Sequence, residues 1–171
     1  MSVKNFFIIQ DDEVTILLTK GKTALLDFQD WVNVFQFSWC ADWSYAAAKI
    51  KGKKINLHKY LTGYKEVDHA NQNPSDNRRT NLRDSTHAQN NMNKPKQKGN
   101  YSSQYKGVSW DKKKKHWRAD IKKNRRNRTL GYFSSEIAAA QAYNEAATKY
   151  FGEFAYLNQI PKTSQEYCQP S

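Results

Sequence analysis

The sequence predicts an α+β fold in two small units, on three observations. Short runs in which apolar and polar residues alternate recur along the chain, the pattern of half-buried strands. Helical spacing is confined to short stretches and one long one, residues 135–150. Residues 94–104 (KPKQKGNYSSQ) are basic, contain Gly, Pro and Ser, and are almost devoid of apolar groups, so they read as a linker. With 38% hydrophobic residues in 171 and a mean hydropathy of −0.95, two small cores are expected rather than one large one. The 13% aromatic share argues against disorder.

In chain order, residues 6–9 (FFII) and 13–18 (EVTILL) are expected strands, the second turning at Gly21 into Thr23–Leu26. Phe28, Trp31, Val32 and Phe35 follow the i, i+3, i+4, i+7 rule and predict a short helix capped by Asp27. Trp39, Trp43, Tyr45 and 46–50 predict a strand pair turning near Lys51-Gly52-Lys53. Residues 55–61 (INLHKYL) lead from it into a polar segment. Beyond the linker, 105–110, 115–123 and 128–133 alternate as three strands, and Ser135 caps the long helix. Ala139, Ala142, Tyr143, Ala146 and Tyr150 are its expected buried face, and Gly152 its stop. The order β-β-β-α implies an antiparallel sheet with one covered face.

Charge narrows the function. The net charge is +12 and the pI about 9.6, which calls for a polyanionic partner. Residues 99–130 hold 11 Lys/Arg against 2 Asp/Glu, so +9 of the +12 sits in 32 residues, with Trp110 and Trp117 among them. Such clustering favours nucleic acid over a merely solvated surface. No apolar run is long enough to span a bilayer, and the N-terminal stretch is too short for a secretory signal. Cys40 and Cys168 are isolated, which excludes a disulfide framework or a cysteine zinc site and fits a cytoplasmic setting.

Residues 67–93 read VDHANQNPSDNRRTNLRDSTHAQNNMN. Asp68 and His69 are neighbours and point to opposite sides of a strand. Asn73 to Asn77 is dense turn material, Thr80–Arg83 a returning strand, and Ser85 or Thr86 a cap for a short helix carrying Asn90. Phosphodiester hydrolysis needs a base to activate water and a held cation to offset developing charge. A histidine titrates near neutrality, and carboxylate and amide oxygens suit Mg²⁺ or Mn²⁺, which keeps much of its own hydration. A lone Asp-His pair is more often structural. The wider pattern of Asp68-His69, Asn73, Asp76–Arg79, Asn81-Leu82-Arg83 and Gln89-Asn90-Asn91 resembles the HNH (His-Me finger) endonucleases of the phage and intron homing type, and the preceding LHKYLTG is similar too. The resemblance implies a ββα-metal fold in which His69 is the general base, Asp68 and Asn90 the metal ligands, and Asn81 the residue that pins the loop orienting the histidine. Arg78, Arg79 and Arg83 are candidates for phosphate contact, with a salt-bridging or solvated role equally open for each. His87 is a rival to Asn90, and His58 reads as a structural histidine.

Residues 105–158 contain YKGVSW, HWRADI, LGYF, AAQAYNEAA, Gly152 and Leu157-Asn158. In 115–122, Trp117, Ala119 and Ile121 share one face while His116, Arg118 and Lys122 share the other. This stretch resembles the AP2/ERF DNA-binding domain, whose resemblance implies a three-stranded sheet on one helix, with the sheet entering the major groove. Lys106, Ser109, Trp110, His116, Arg118, Lys122 and Arg128 are the candidate DNA contacts, arginine forking onto guanine edges and lysine meeting phosphates. Trp110 reads equally well as core.

These expectations combine into a homing-type HNH endonuclease of residues 1–93 with its motif at 67–93, a linker at 94–104, an AP2-like domain at 105–158 and a tail at 159–171. The expected partner is double-stranded DNA, the expected state a monomer, and no membrane is involved. The alternative is a DNA-binding regulator carrying an inactive nuclease remnant.

Overall fold

The computed structural model describes residues 5–161 and divides after Asn93 into two compact units. In the first unit, β1 (Phe7–Gln10), β2 (Glu13–Leu17) and β3 (Thr23–Asp27) form an antiparallel sheet in chain order. Alternation decides which face is covered: Val14, Ile16, Ala24 and Leu26 are fully buried, while Thr15 and Leu25 between them are not. Helix α1 (Phe28–Val34) follows. Asp27 stands at its N-cap without capping it, because the carboxylate accepts instead from the backbone N–H of Arg79 at 2.7 Å.

A second sheet contains β4 (Trp39–Asp42), β5 (Tyr45–Ile50) and β6 (Lys53–Asn56). The expected single turn at Lys51-Gly52 is present, but a second hairpin precedes it. Its two-residue loop, Trp43-Ser44, lacks the glycine that marks such a turn in a sequence. Helix α2 (Leu57–Thr62) ends at Gly63, whose φ of 72° supplies the left-handed cap. Both sheets and α2 share one core around Trp39, Leu57 and Leu61, with Val67 and Leu82 from the motif packed into it. Residues 5–60 thus share one core with the motif.

The motif forms β7 (Val67–His69) paired antiparallel with β8 (Leu82–Asp84), followed by α3 (His87–Asn93). This is a ββα arrangement. Thr86 and Gln89 cap the helix reciprocally: Gln89 N–H donates to Thr86 Oγ1 at 3.2 Å, and Thr86 N–H donates to Gln89 Oε1 at 2.8 Å.

In the second unit, β9 (Val108–Asp111), β10 (His116–Lys123) and β11 (Arg126–Phe133) form an antiparallel sheet with β10 central, and α4 (Glu136–Phe151) covers one face. Ser135 Oγ accepts from Ala138 N–H at 3.1 Å and caps α4. Its fully buried residues are Ala139, Ala140, Tyr143 and Ala147. The buried stripe therefore follows i, i+4, i+8 from Ala139, and the expected Ala142, Ala146 and Tyr150 flank it. Gly107 explains the close approach: a Cβ there would lie 2.1 Å from Tyr143 and 2.6 Å from the Asp120 carbonyl, and φ is +77°.

Residues 94–104 carry no regular secondary structure, as a linker would, yet they hold to the second unit. Lys96 Nζ donates to the carbonyls of Tyr105 and Val108, and Ser102 Oγ accepts from Trp110 N–H. At the other end, Asn158 donates to and accepts from the Lys106 backbone and is clasped by Asn144, while Ile160 of the expected tail packs on the core. Residues 162–171 of that tail, with Cys168, lie outside the described residues.

Candidate functional site

Strand alternation separates the two central residues of the motif. Asp68 turns toward α3 and β8, where its carboxylate receives Arg83 Nε at 2.9 Å, Arg83 Nη2 at 2.6 Å and Asn93 Nδ2 at 3.0 Å. His69 turns to the other side and meets two rings that the motif does not contain. Tyr45 lies against it at 6.0 Å and 29°, and His58 meets it edge-on at 5.1 Å and 82°. Asp68 and His69 are both buried.

His69 Nε2 is buried with no hydrogen-bond partner among the described protein groups. An unpaired buried nitrogen costs about 1–3 kcal/mol, so the fold maintains it against its own stability. Burial pushes the His69 pKa below the usual histidine value, against the opposing pull of the Asn77 side chain and of the Asp68 and Asp76 carboxylates. The ring is therefore held in its neutral form near neutral pH, the form a general base requires.

The loop between β7 and β8 is tied at every turn. Asn71 Oδ1 accepts from Asn73 N–H and Asn73 Oδ1 from Ser75 N–H, two successive side-chain turns. Asn81 spans the loop: its Oδ1 accepts from Asn71 N–H at 2.9 Å and its Nδ2 donates to the Asp76 carbonyl at 2.7 Å. Strand β3 grips the far side, with Leu25 N–H donating to Ser75 O and Asn77 N–H to Leu25 O, both at 2.7 Å. Asn81 thus acts on the loop, through backbone atoms, and not on a reacting group.

Arg78 and Arg79 are not displayed toward a phosphate. Arg78 forks onto Asp76 and reaches Glu13 at 2.6 Å, which holds the Asp76 carboxyl below the usual carboxylate range. Arg79 makes a two-point contact with buried Asp30 at 2.8 Å. Both clamp the motif to the N-terminal sheet and α1, the salt-bridging role that the sequence left open beside phosphate contact. Asp76 lies within the motif, but Glu13 and Asp30 lie 65 and 49 residues from their arginines, too far for motif spacing to reveal.

Asn90 is half-buried on α3 and donates Nδ2 to the Val67 carbonyl at 3.1 Å. Its Oδ1 is then the atom on offer, one residue from Asp68. Among the described residues no cluster of three or more His, Cys, Asp or Glu is poised to hold a metal. The oxygen donors here are hard and few, the type a Mg²⁺-like ion accepts. By donor type they fit such an ion. His87 is exposed at the start of α3.

His58, read from the sequence as a structural histidine, meets His69 edge-on. It is buried, its Nδ1 has no partner among the described residues, and its pKa is lowered to about 3, first by burial and then by His69 and Lys59. The unfolded chain takes up a proton near pH 6.5, and the folded chain does not until about pH 3. Stability is therefore full above pH 6.5 and is lost as pH falls through that window. Relative to His58→Phe, the wild type is expected to lose about 1.4 kcal/mol per pH unit below 6.5. Urea unfolding of both proteins from pH 7.5 downward checks this, and parallel curves would refute it.

In the second unit the sheet face away from α4 carries Ser109, Arg118 and Tyr132, adjacent in register. Arg118 Nε donates to Asp120 at 2.7 Å, Thr129 Oγ1 donates to the same carboxylate at 2.8 Å, and Lys114 Nζ sits 3.6 Å above the Tyr132 ring. His116 and Lys122 are exposed on the same strand, with His116 Nδ1 against the Lys114 carbonyl. The remaining candidates sit elsewhere. Trp110 pairs in register with Trp117 and packs edge-on against it at 5.2 Å, on the helix side. Arg128 stands opposite Ile121 and so shares that side, exposed at the sheet's end. Lys106 donates Nζ to the Lys94 carbonyl and lies over the Tyr156 ring, and burial lowers its pKa to about 8.

Residues 60–92 match the family model described as HNH endonuclease. Over 167 residues the chain is 32% identical to an uncharacterised HNH endonuclease of Acanthamoeba polyphaga mimivirus, spanning 91% of this chain and 86% of that protein. No solved structure matches.

Proposed function

The chain belongs to the HNH endonuclease family, and from that premise we propose that it is a metal-dependent, homing-type DNA endonuclease with His69 as its general base and the second unit as its targeting module. The single observation that carries the assignment of His69 is its buried, unpartnered Nε2, held neutral beside Asp68. With the proton on Nδ1, Nε2 takes a proton from water as its oxygen attacks the phosphorus. The P–O bond opposite breaks, its oxygen takes a proton from solvent to leave an alcohol and a phosphate monoester, and the imidazolium returns its proton to solvent. Asp68 and Asn90 would hold the cation, and Arg83 and Asn93 fix the carboxylate in place for it. A divalent ion bound there supplies positive charge against the developing phosphorane and leaving oxygen. Asn81, Arg78 and Arg79 keep the loop, and so His69, in register.

For the second unit, the support is the AP2/ERF-like sequence pattern, the sheet-on-helix arrangement and the +9 charge of 99–130. Ser109, His116, Arg118 and Lys122 are the proposed groove contacts. Lys112–Lys115 and Arg125-Arg126, near the hairpin tips, are proposed phosphate contacts. Lys106, Trp110 and Arg128 are proposed to support that surface rather than read DNA.

The metal reading is tested on supercoiled plasmid. Nicking is expected with Mg²⁺ or Mn²⁺ and none with EDTA, and Asn90→Ala is expected to need about tenfold more metal for half-maximal rate. Undiminished nicking in EDTA would overturn it.

A further inference from the structure

The β4–β5 hairpin holds a large apolar side chain in an unfavourable place. Trp43 is 89% exposed, the most exposed large hydrophobic among the described residues. It also has a φ of 53° at the first position of a two-residue hairpin loop. Glycine takes that position at no steric cost, whereas a bulky residue there is an outlier. Neither burial nor backbone geometry accounts for a tryptophan, so the fold bears a cost with no structural return.

The surroundings point to a ligand. Lys20 and Lys22 line one shallow depression with Ala41, Asp42 and Trp43. Lys22 Nζ donates to the Trp43 carbonyl and steadies the tip. Asp42 is neutralised by Lys54, so the depression presents positive charge beside an indole. The hairpin is continuous with the catalytic region, since Tyr45, which pairs with Asp42 across the loop, lies against His69. An exposed aromatic flanked by two lysines is complementary to a nucleic-acid surface, with the ring on base or sugar and the cations on phosphates.

We propose that Trp43, flanked by Lys20 and Lys22, is a DNA-docking residue of the nuclease unit that meets the substrate duplex beside the bond cut at His69. The inference rests on the endonuclease reading and adds to it a contact lying outside both the HNH motif and the second unit. It makes the nuclease unit a reader of duplex position in its own right.

The test uses the full chain and a labelled mixed-sequence DNA duplex at low salt. Trp43→Gly is expected to unfold at the same temperature as wild type or higher, because it relieves the positive φ. In the same protein, affinity for the duplex is expected to fall about tenfold, and plasmid nicking to show a raised KM with kcat largely kept. Trp43→Phe is expected to retain most of the affinity. Equal affinity of wild type and Trp43→Gly would overturn the inference alone, and so would a Trp43→Gly protein that unfolds earlier, since the residue would then be structural. A wild-type chain that neither binds nor nicks DNA would overturn the endonuclease reading, and this inference with it.

Discussion

His69→Ala is expected to lower plasmid nicking by about 1,000-fold, the scale of a lost general base, while duplex affinity stays within a factor of two or so. The two outcomes separate because His69 is only 7% exposed and lends little surface to a bound duplex. Thermal unfolding is expected to survive the change. The ring's aromatic contacts are a stacked Tyr45 and an edge-on His58, and its Nε2 makes no hydrogen bond that alanine would forfeit. Single-turnover nicking, with anisotropy for binding, checks both halves. A variant that loses binding and cleavage together would point to a role in holding DNA instead.

Asn81→Ala is expected to do the second-largest damage, by a different route. Its side chain closes the loop through two backbone groups, Asn71 N–H and the Asp76 carbonyl, the latter in a buried bond. Truncation leaves both unpaired, at a cost of about 2–4 kcal/mol. The next consequence falls on His69, whose carbonyl is held from the same loop by Gln72 N–H at 2.9 Å. A shift of that backbone by about 1 Å is worth about 100-fold in rate. Because Asn81 does not touch the reacting groups, the variant's residual nicking is expected to keep the wild-type metal requirement. Hydrogen exchange at 70–77 would locate the loosening. Wild-type protection there, with wild-type nicking, would show that the clamp is dispensable.

How much of this was legible in the sequence depends on how local the physics is. The ββα arrangement was readable because Asp68, His69, Asn81 and Asn90 fall within one short segment and their spacing fixes strand, loop and helix. The alternation of Trp117, Ala119 and Ile121 was readable for the same reason, and the structure buries Ala119 and Ile121 fully. What stayed hidden depends on long-range pairing. Tyr45 and His58 flank His69 from separate elements, and nothing in their local pattern marks them. The ion pairs of Arg78 with Glu13 and of Arg79 with Asp30 depend on residues far along the chain being brought near. Asn93 was not singled out in the sequence, yet it is a residue of α3 that donates to Asp68. The Trp43 turn was missed because turn recognition leans on glycine and asparagine, and this turn uses neither.

The measurement that tests the central claim most directly is rescue of a His69→Gly protein by free imidazole, read as nicking of supercoiled plasmid in Mg²⁺. The account predicts a nearly inactive protein whose nicking rises with added imidazole and follows the neutral, proton-accepting form of the base as pH is varied. A His69→Gly protein that nicks at the wild-type rate without imidazole would contradict it.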